Sequence, residues 1–205
     1  GCVPSTKLVS VGYQGGPANG DSWDPQVSWG LADFYGHDQH GRFVVFTSAA
    51  SNLVPGDTNH AWDVFERDLC AGEPFCTPST TRISVTESGG QIAGHSFTPG
   101  FLRWDGETIA FVSQADGVVT GDTNGIADVY KRHHCPTGAP DYCIPVTERM
   151  SVGTGGAQTD GPSYAPRMSH CPFGAHLITY ISEASNITPD AVPIPNDGLI
   201  YIDLP

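Results

Sequence analysis

Residues 52–69 read NLVPGDTNHAWDVFERDL, and residues 117–134 read GVVTGDTNGIADVYKRHH. Each opens with a turn-rich acidic loop, Gly56-Asp57-Thr58-Asn59 or Gly121-Asp122-Thr123-Asn124, and runs into a short stretch rich in β-branched and aromatic residues. Gly, Asp and Asn supply tight turns, and Asp63-Val-Phe-Glu-Arg-Asp-Leu69 or Asp128-Val-Tyr-Lys-Arg-His133 then has the composition of a strand.

The likeness spreads outward from these two stretches. Cys2-Val-Pro, Cys76-Thr-Pro and Cys143-Ile-Pro each lead to a Ser-Val pair, at 10–11, 84–85 and 151–152, so the landmark recurs after 74 and then 67 residues. A Ser-x-x-Pro signature follows at Ser22–Pro25, Ser96–Pro99 and Ser163–Pro166. Strand-like runs come next at 42–48, 107–113 and 176–182, and a last one at 63–69, 128–133 and 199–204. About four strands per unit predicts an all-β chain, a β-propeller made of four-stranded antiparallel blades.

Read this way, the whole chain, 1–205, is one propeller unit of three blades. Blade one covers about 25–86, blade two about 97–153, and blade three about 164–205 plus an outer strand equivalent to 5–12. Three blades are fewer than the four or more of known rings. The N-terminal strand is therefore predicted to complete the last blade, in the same ring or in a partner chain. Copies of the chain itself become the expected partner, in a closed dimer or, if the rotation does not close, a filament. A fragment of a longer propeller is the alternative.

The acidic loops suggest a cation. Asp57, Asn59 and Asp63, and likewise Asp122, Asn124 and Asp128, place side-chain oxygens at positions 1, 3 and 7, with Ala61 and Ile126 positioned to add a carbonyl. Ca²⁺ takes six to eight such oxygens, and Ca²⁺ is the expected cofactor. The alternative is an Asx-rich turn that holds its own backbone without an ion. The third unit has drifted, although Asp190 and Asp197 remain.

Nine Lys+Arg against 22 Asp+Glu give a formal charge of −13, which repels phosphate and argues against nucleic acid. No apolar run is long enough for a membrane span. The chain opens at Gly1 without a basic and apolar leader, as a processed secreted protein would. Six cysteines at short spacings read as disulfides: Cys70–Cys76, Cys135–Cys143, and Cys2–Cys171 if the N-terminal strand joins the third blade. Disulfides place the chain in a secreted, extracellular, periplasmic or cell-surface setting.

The stretches SNLVPGDTNHAWDVFERDL and DGVVTGDTNGIADVYKRH, with the strands TTRISV and TERMSV, resemble the TolB-like, WD40-like (PD40) propeller repeats of bacterial extracytoplasmic proteins. The resemblance implies a propeller scaffold and brings no catalytic set.

Histidines His37 and His40, beside Asp33 and Asp38, form the least improbable catalytic cluster. The sequence has no nucleophile elbow, no His-Glu-x-x-His and no phosphate-binding Gly loop, so the reading leans away from an enzyme. Trp23 and Trp104 are read as packing residues. The expected function is a calcium-stabilised extracellular structural module that self-associates by strand exchange. The alternatives are a binding module for a protein or glycan and, less favoured, a secreted hydrolase.

Overall fold

A computed structural model describes residues 6–28, 41–71, 75–101, 106–135, 142–168, 178–188 and 199–203. The strands are β1 (Ser22–Val27), β2 (Phe43–Ser48), β3 (Asp63–Asp68), β4 (Ser79–Arg82), β5 (Ser96–Phe101), β6 (Thr108–Ser113), β7 (Asp128–His133), β8 (Val146–Arg149), β9 (Ser163–Met168), β10 (Ile178–Ser182) and β11 (Leu199–Asp203). They form three antiparallel sheets, ordered β1-β2-β3-β4, β5-β6-β7-β8 and β11-β10-β9.

Strands β2 and β6 are buried along their whole length, because FVVFTS and TIAFVS are apolar or small on both faces. The first two sheets share one register. Ser48 pairs with Asp63 as Ser113 pairs with Asp128, and Phe65 pairs with Arg82 as Tyr130 pairs with Arg149. Strands β1, β5 and β9 each carry an L-residue in the left-handed region just ahead of a proline: Asp24 (φ 50), Thr98 (φ 52) and Ala165 (φ 52). The β1–β2, β5–β6 and β9–β10 registers shift beside these residues, and the extra residue bends the strand.

The core lies between the sheets. Val45, Val64 and Ile83 of the first pack against Ile109, Phe111 and Tyr130 of the second. Ala110, Val112 and Val129 of the second pack against Ile178 and Tyr180 of the third. Burying each large side chain contributes on the order of 1.5–3 kcal/mol, so these two seams dominate the stability. Gly106 (φ 77) sits at the first seam, where a Cβ would lie 2.7 Å from the Phe43 ring. Both the backbone angle and the space call for glycine there.

This arrangement corrects the propeller expectation. The described residues form three separate sheets packed in series, none closed or curled into a ring, and the third holds three strands rather than four. Among the described residues the third sheet lacks the outer strand expected from 5–12, so the closed three-blade unit is not borne out.

Strand exchange is corrected as well. The side chain of Val9 packs on Phe46, Ala50, Leu53 and Phe65 of its own first sheet. Val11 bridges to Pro17, and the Tyr13 amide donates to the Asn52 carbonyl at 2.9 Å. The segment is thus anchored on the first sheet of its own chain, and among the described residues it pairs with no strand of the third. Among the described residues β11 pairs with β10 alone. Nothing in this topology supports self-association, a closed dimer or a filament.

The residues 29–40, with His37 and His40, lie outside the described residues, as do Cys2, Trp104, Cys171, Asp190 and Asp197. Among the described residues no helix is long and apolar enough to cross a membrane.

Candidate functional site: an aromatic cluster at the first seam

The two acidic loops hold their carboxylates with protein groups. In the first, Arg82 of β4 places Nη2 3.2 Å from Asp57 Oδ1 and Nε 3.8 Å from Asp63 Oδ2. Ser84 Oγ donates to Asp63 Oδ1 at 2.6 Å, and Gln91 Nε2 donates to Asp57 Oδ1 at 3.0 Å. Asn59 turns its Nδ2 toward Asp63 Oδ2 (3.0 Å) and the Ile92 carbonyl (2.9 Å), while its Oδ1 accepts from the Ala61 amide at 3.1 Å.

The second loop follows the same plan. Arg149 Nη1 lies 3.6 Å from Asp122 Oδ1 and 3.8 Å from Asp128 Oδ2. Tyr130 donates to Asp122 Oδ2 at 2.8 Å, and Thr159 to Asp128 Oδ1 at 2.9 Å. The Asn124 Nδ2 donates to the Thr159 carbonyl at 2.9 Å, and its Oδ1 accepts from the Ile126 amide at 3.4 Å.

The calcium expectation is thereby corrected. An arginine supplies the positive charge, the asparagines point their NH₂ groups inward at Asp63 or a carbonyl, and Ala61 and Ile126 turn their N–H groups to the asparagine oxygens. The arrangement is that of Asx turns faced by a guanidinium, in which the buried Asp122 Oδ1 and Asp128 Oδ2 accept no hydrogen bond. Burial raises the Asp63 and Asp128 carboxyls above their ordinary range, against the lowering effect of their serine hydroxyls and arginines.

A second buried charge group spans the first seam. Glu66 Oε1 lies 3.3 Å from His134 Nε2, and that nitrogen also lies 2.7 Å from the Gly106 carbonyl. Burial raises the Glu66 carboxyl. Burial pulls His134 down, but the hydrogen bond and charge of Glu66, with the Gly106 carbonyl, leave the imidazole raised on balance. The pair is enclosed, with 3% and 7% of its side-chain surfaces exposed, and offers no access to a ligand.

Two disulfides staple the hairpins β3–β4 and β7–β8, Cys70–Cys76 and Cys135–Cys143. Beside the first, Asp68, Cys70 and Cys76 bring three potential metal-ligating atoms within 4.8 Å of one another. With that group present the lean away from an enzyme is not upheld, because once reduced a carboxylate with two sulfurs is a zinc-type donor set able to leave a coordination position open. The group also shifts the candidate metal chemistry from calcium to a softer cation. While the two sulfurs are bonded to each other, neither is a thiolate.

The third constellation is aromatic. Trp62, in the turn entering β3, is 42% exposed. The Trp23 ring of β1 meets it edge-on at 5.2 Å and 88°, and the His95 ring lies 4.5 Å away at 41°. The Trp62 amide donates to His95 Nδ1 at 2.9 Å, and the Ser96 amide donates to the Trp62 carbonyl at 2.7 Å. Three rings from separate stretches thus converge at the first seam, with exposed Asp24 directly after Trp23.

The second seam provides an internal control. There the Ser163 amide donates to the Ala127 carbonyl at 2.7 Å, so Ala127 stands where Trp62 does. Pro162 stands in place of His95, and Phe97 in place of Trp23. The same backbone arrangement is built with a small residue at the second seam, so the fold itself does not require an indole at 62. No motif in the sequence marks Trp62; the signal for it is the contrast between His60-Ala-Trp-Asp63 and Gly125-Ile-Ala-Asp128.

No family model matches the chain, so the propeller-repeat resemblance expected from the sequence is not borne out, and no curated protein matches it. A solved structure of an N-acetylgalactosamine deacetylase from F. plautii, in complex with blood group B trisaccharide, is similar at a TM-score of 0.35 and 16% identity. The match covers 93% of this chain and 51% of that one, so the chain spans about half its length. Likeness at this level transfers neither fold nor activity.

Proposed function

We propose that this chain is a binding module of an oxidising extracytoplasmic setting, which holds a neutral glycan on the Trp62–Trp23–His95 cluster. The observation that carries this reading is Trp62, an exposed indole propped by two rings at a position where the matching seam manages with Ala127. An indole offers an apolar face to the C–H face of a sugar ring and an N–H to a hydroxyl. His95 beside it can bond a further hydroxyl.

Charge narrows the ligand. At a formal −13 the chain repels sulfated or uronic-acid chains and tolerates neutral or amino sugars. The two disulfides support the oxidising setting.

The test is affinity electrophoresis through gels containing neutral, cationic or sulfated polysaccharide, with wild type and Trp62→Ala. Retardation in a neutral or amino-sugar gel, lost in Trp62→Ala, is expected. Equal mobility of the two proteins in every gel refutes the reading, and a protein ligand would give that result.

A second reading, metal-assisted hydrolysis, is favoured by the Asp68–Cys70–Cys76 group. Its test is turnover of acetylated sugars by reduced, zinc-loaded protein, with loss in Asp68→Asn.

A further inference from the structure

Asp68 ends β3, and Cys70 and Cys76 lie beside it in the hairpin to β4. Arg42 Nε donates to Asp68 Oδ1 at 3.0 Å and Arg42 Nη2 to Oδ2 at 2.8 Å, while the Cys70 amide donates to Oδ1 at 2.8 Å. Asp68 Oδ2 also lies 3.7 Å from Cys76 Sγ. A disulfide sulfur carries no proton, so in the oxidised chain this contact sets an oxygen lone pair against sulfur.

The second hairpin repeats the placement with another donor. His133, two residues before Cys135 as Asp68 is two before Cys70, holds Nε2 3.7 Å from Cys143 Sγ. Each staple is therefore flanked by a potential metal ligand at one residue offset. Among the described residues only the first hairpin gathers all three donor atoms within 4.8 Å.

We propose that the Cys70–Cys76 hairpin is a redox-gated site for a zinc-class cation. Oxidised, it is a covalent staple. Reduced by a dithiol, it becomes an Asp68/Cys70/Cys76 site with its fourth position open to water. The reductant supplies two electrons and two protons, the S–S bond breaks to two thiols, and the dithiol leaves as its own disulfide. The cation then binds the two thiolates and the carboxylate, releasing the two thiol protons.

The geometry suits the change. Tetrahedral bonds of about 2.0–2.3 Å to oxygen and sulfur place neighbouring ligand atoms about 3.3–3.8 Å apart. The contact from Asp68 Oδ2 to Cys76 Sγ already has that separation. The sulfurs must part by less than about 2 Å, in a hairpin whose cysteine Cα atoms are 5.5 Å apart. Arg42 grips both oxygens of the carboxylate, an outer support of the kind that holds metal-ligating carboxylates in place.

The test is Co²⁺ titration of the full chain before and after reduction by a dithiol, followed by near-ultraviolet and visible absorption. A Co²⁺–thiolate band with one equivalent is expected only after reduction. It should be abolished in Cys70→Ser/Cys76→Ser and retained in Cys135→Ser/Cys143→Ser, and Asp68→Asn should weaken binding at least about tenfold. A band that survives the first double substitution overturns the proposal, as does no band in reduced chain whose far-ultraviolet circular dichroism is unchanged. Loss of the fold on reduction also overturns it.

Discussion

Substituting Arg82 by Met tests the reading of the acidic loops as closed by arginine. The Arg82 side chain is 10% exposed, and the carboxylates it faces, Asp57 and Asp63, are 3% and 0% exposed. Methionine preserves most of the volume and removes the charge, so two buried carboxylates lose their counter-ion. Breaking a buried pair from one side costs about 3–5 kcal/mol. For a chain of this size each kcal/mol moves the midpoint by about 2–4 °C, so calorimetry at pH 7 should show a fall of roughly 10 °C.

The pH dependence carries a sign. Asp63 already titrates above its ordinary 3.8, and removing Arg82 pushes it further up. A carboxyl raised in the folded state binds more protons there than in the unfolded chain. The penalty is therefore full at neutral pH and shrinks as pH falls toward 3.8. Adding Asp57→Asn and Asp63→Asn to Arg82→Met should recover at least about 1 kcal/mol, because no buried charge is then unpaired. A loss under about 1 kcal/mol at pH 7 would refute the reasoning. So would full rescue of Arg82→Met by calcium, which would mean that the loop is a cation site after all.

Wild-type protein should melt at the same temperature in millimolar calcium and in chelator, as followed by circular dichroism. Glu66 and His134 are both raised, so each holds its proton more tightly in the folded chain. Stability should fall as pH rises from the carboxyl's ordinary 4.5 and through the raised His134 value above 6.5; Glu66→Gln should flatten that slope in urea titrations across the window. Gly106→Ala sets a Cβ against the Phe43 ring at φ 77 and should cost about 1–3 kcal/mol in the same titrations. Trp62→Ala removes a half-buried ring packed on Trp23 and His95 and should cost about 1–3 kcal/mol in the same titrations while leaving the fold intact.

Strand placement was readable because it depends on local chemistry. The run Phe43-Val-Val-Phe-Thr-Ser48 is apolar on both faces, and Asp57-Thr-Asn59 punctuates the chain ahead of β3. Ring closure was not readable. It depends on how the flanks of sheets meet, and Val9 finds its apolar partner in its own first sheet.

The loops show why spacing alone misleads. Oxygens at positions 1, 3 and 7 fit a cation in the abstract, but the positive charge that faces them comes from Arg82 and Arg149, one strand further along. Their recurrence in Thr-Thr-Arg82-Ile-Ser84 and Thr-Glu-Arg149-Met-Ser151 was on view and was read only as a strand landmark. Trp62 was legible only by difference, since no motif surrounds it.

The most direct measurement is a neutral oligosaccharide titration followed through the indole N–H and histidine signals by nuclear magnetic resonance. Progressive shifts of Trp62, Trp23 and His95 are expected, with saturation weakened at least about tenfold, roughly 1.4 kcal/mol, in Trp62→Ala. Saturable shifts confined to other residues, with the Trp62 indole unmoved, or no shifts with any neutral or amino-sugar chain, would contradict glycan binding at this cluster.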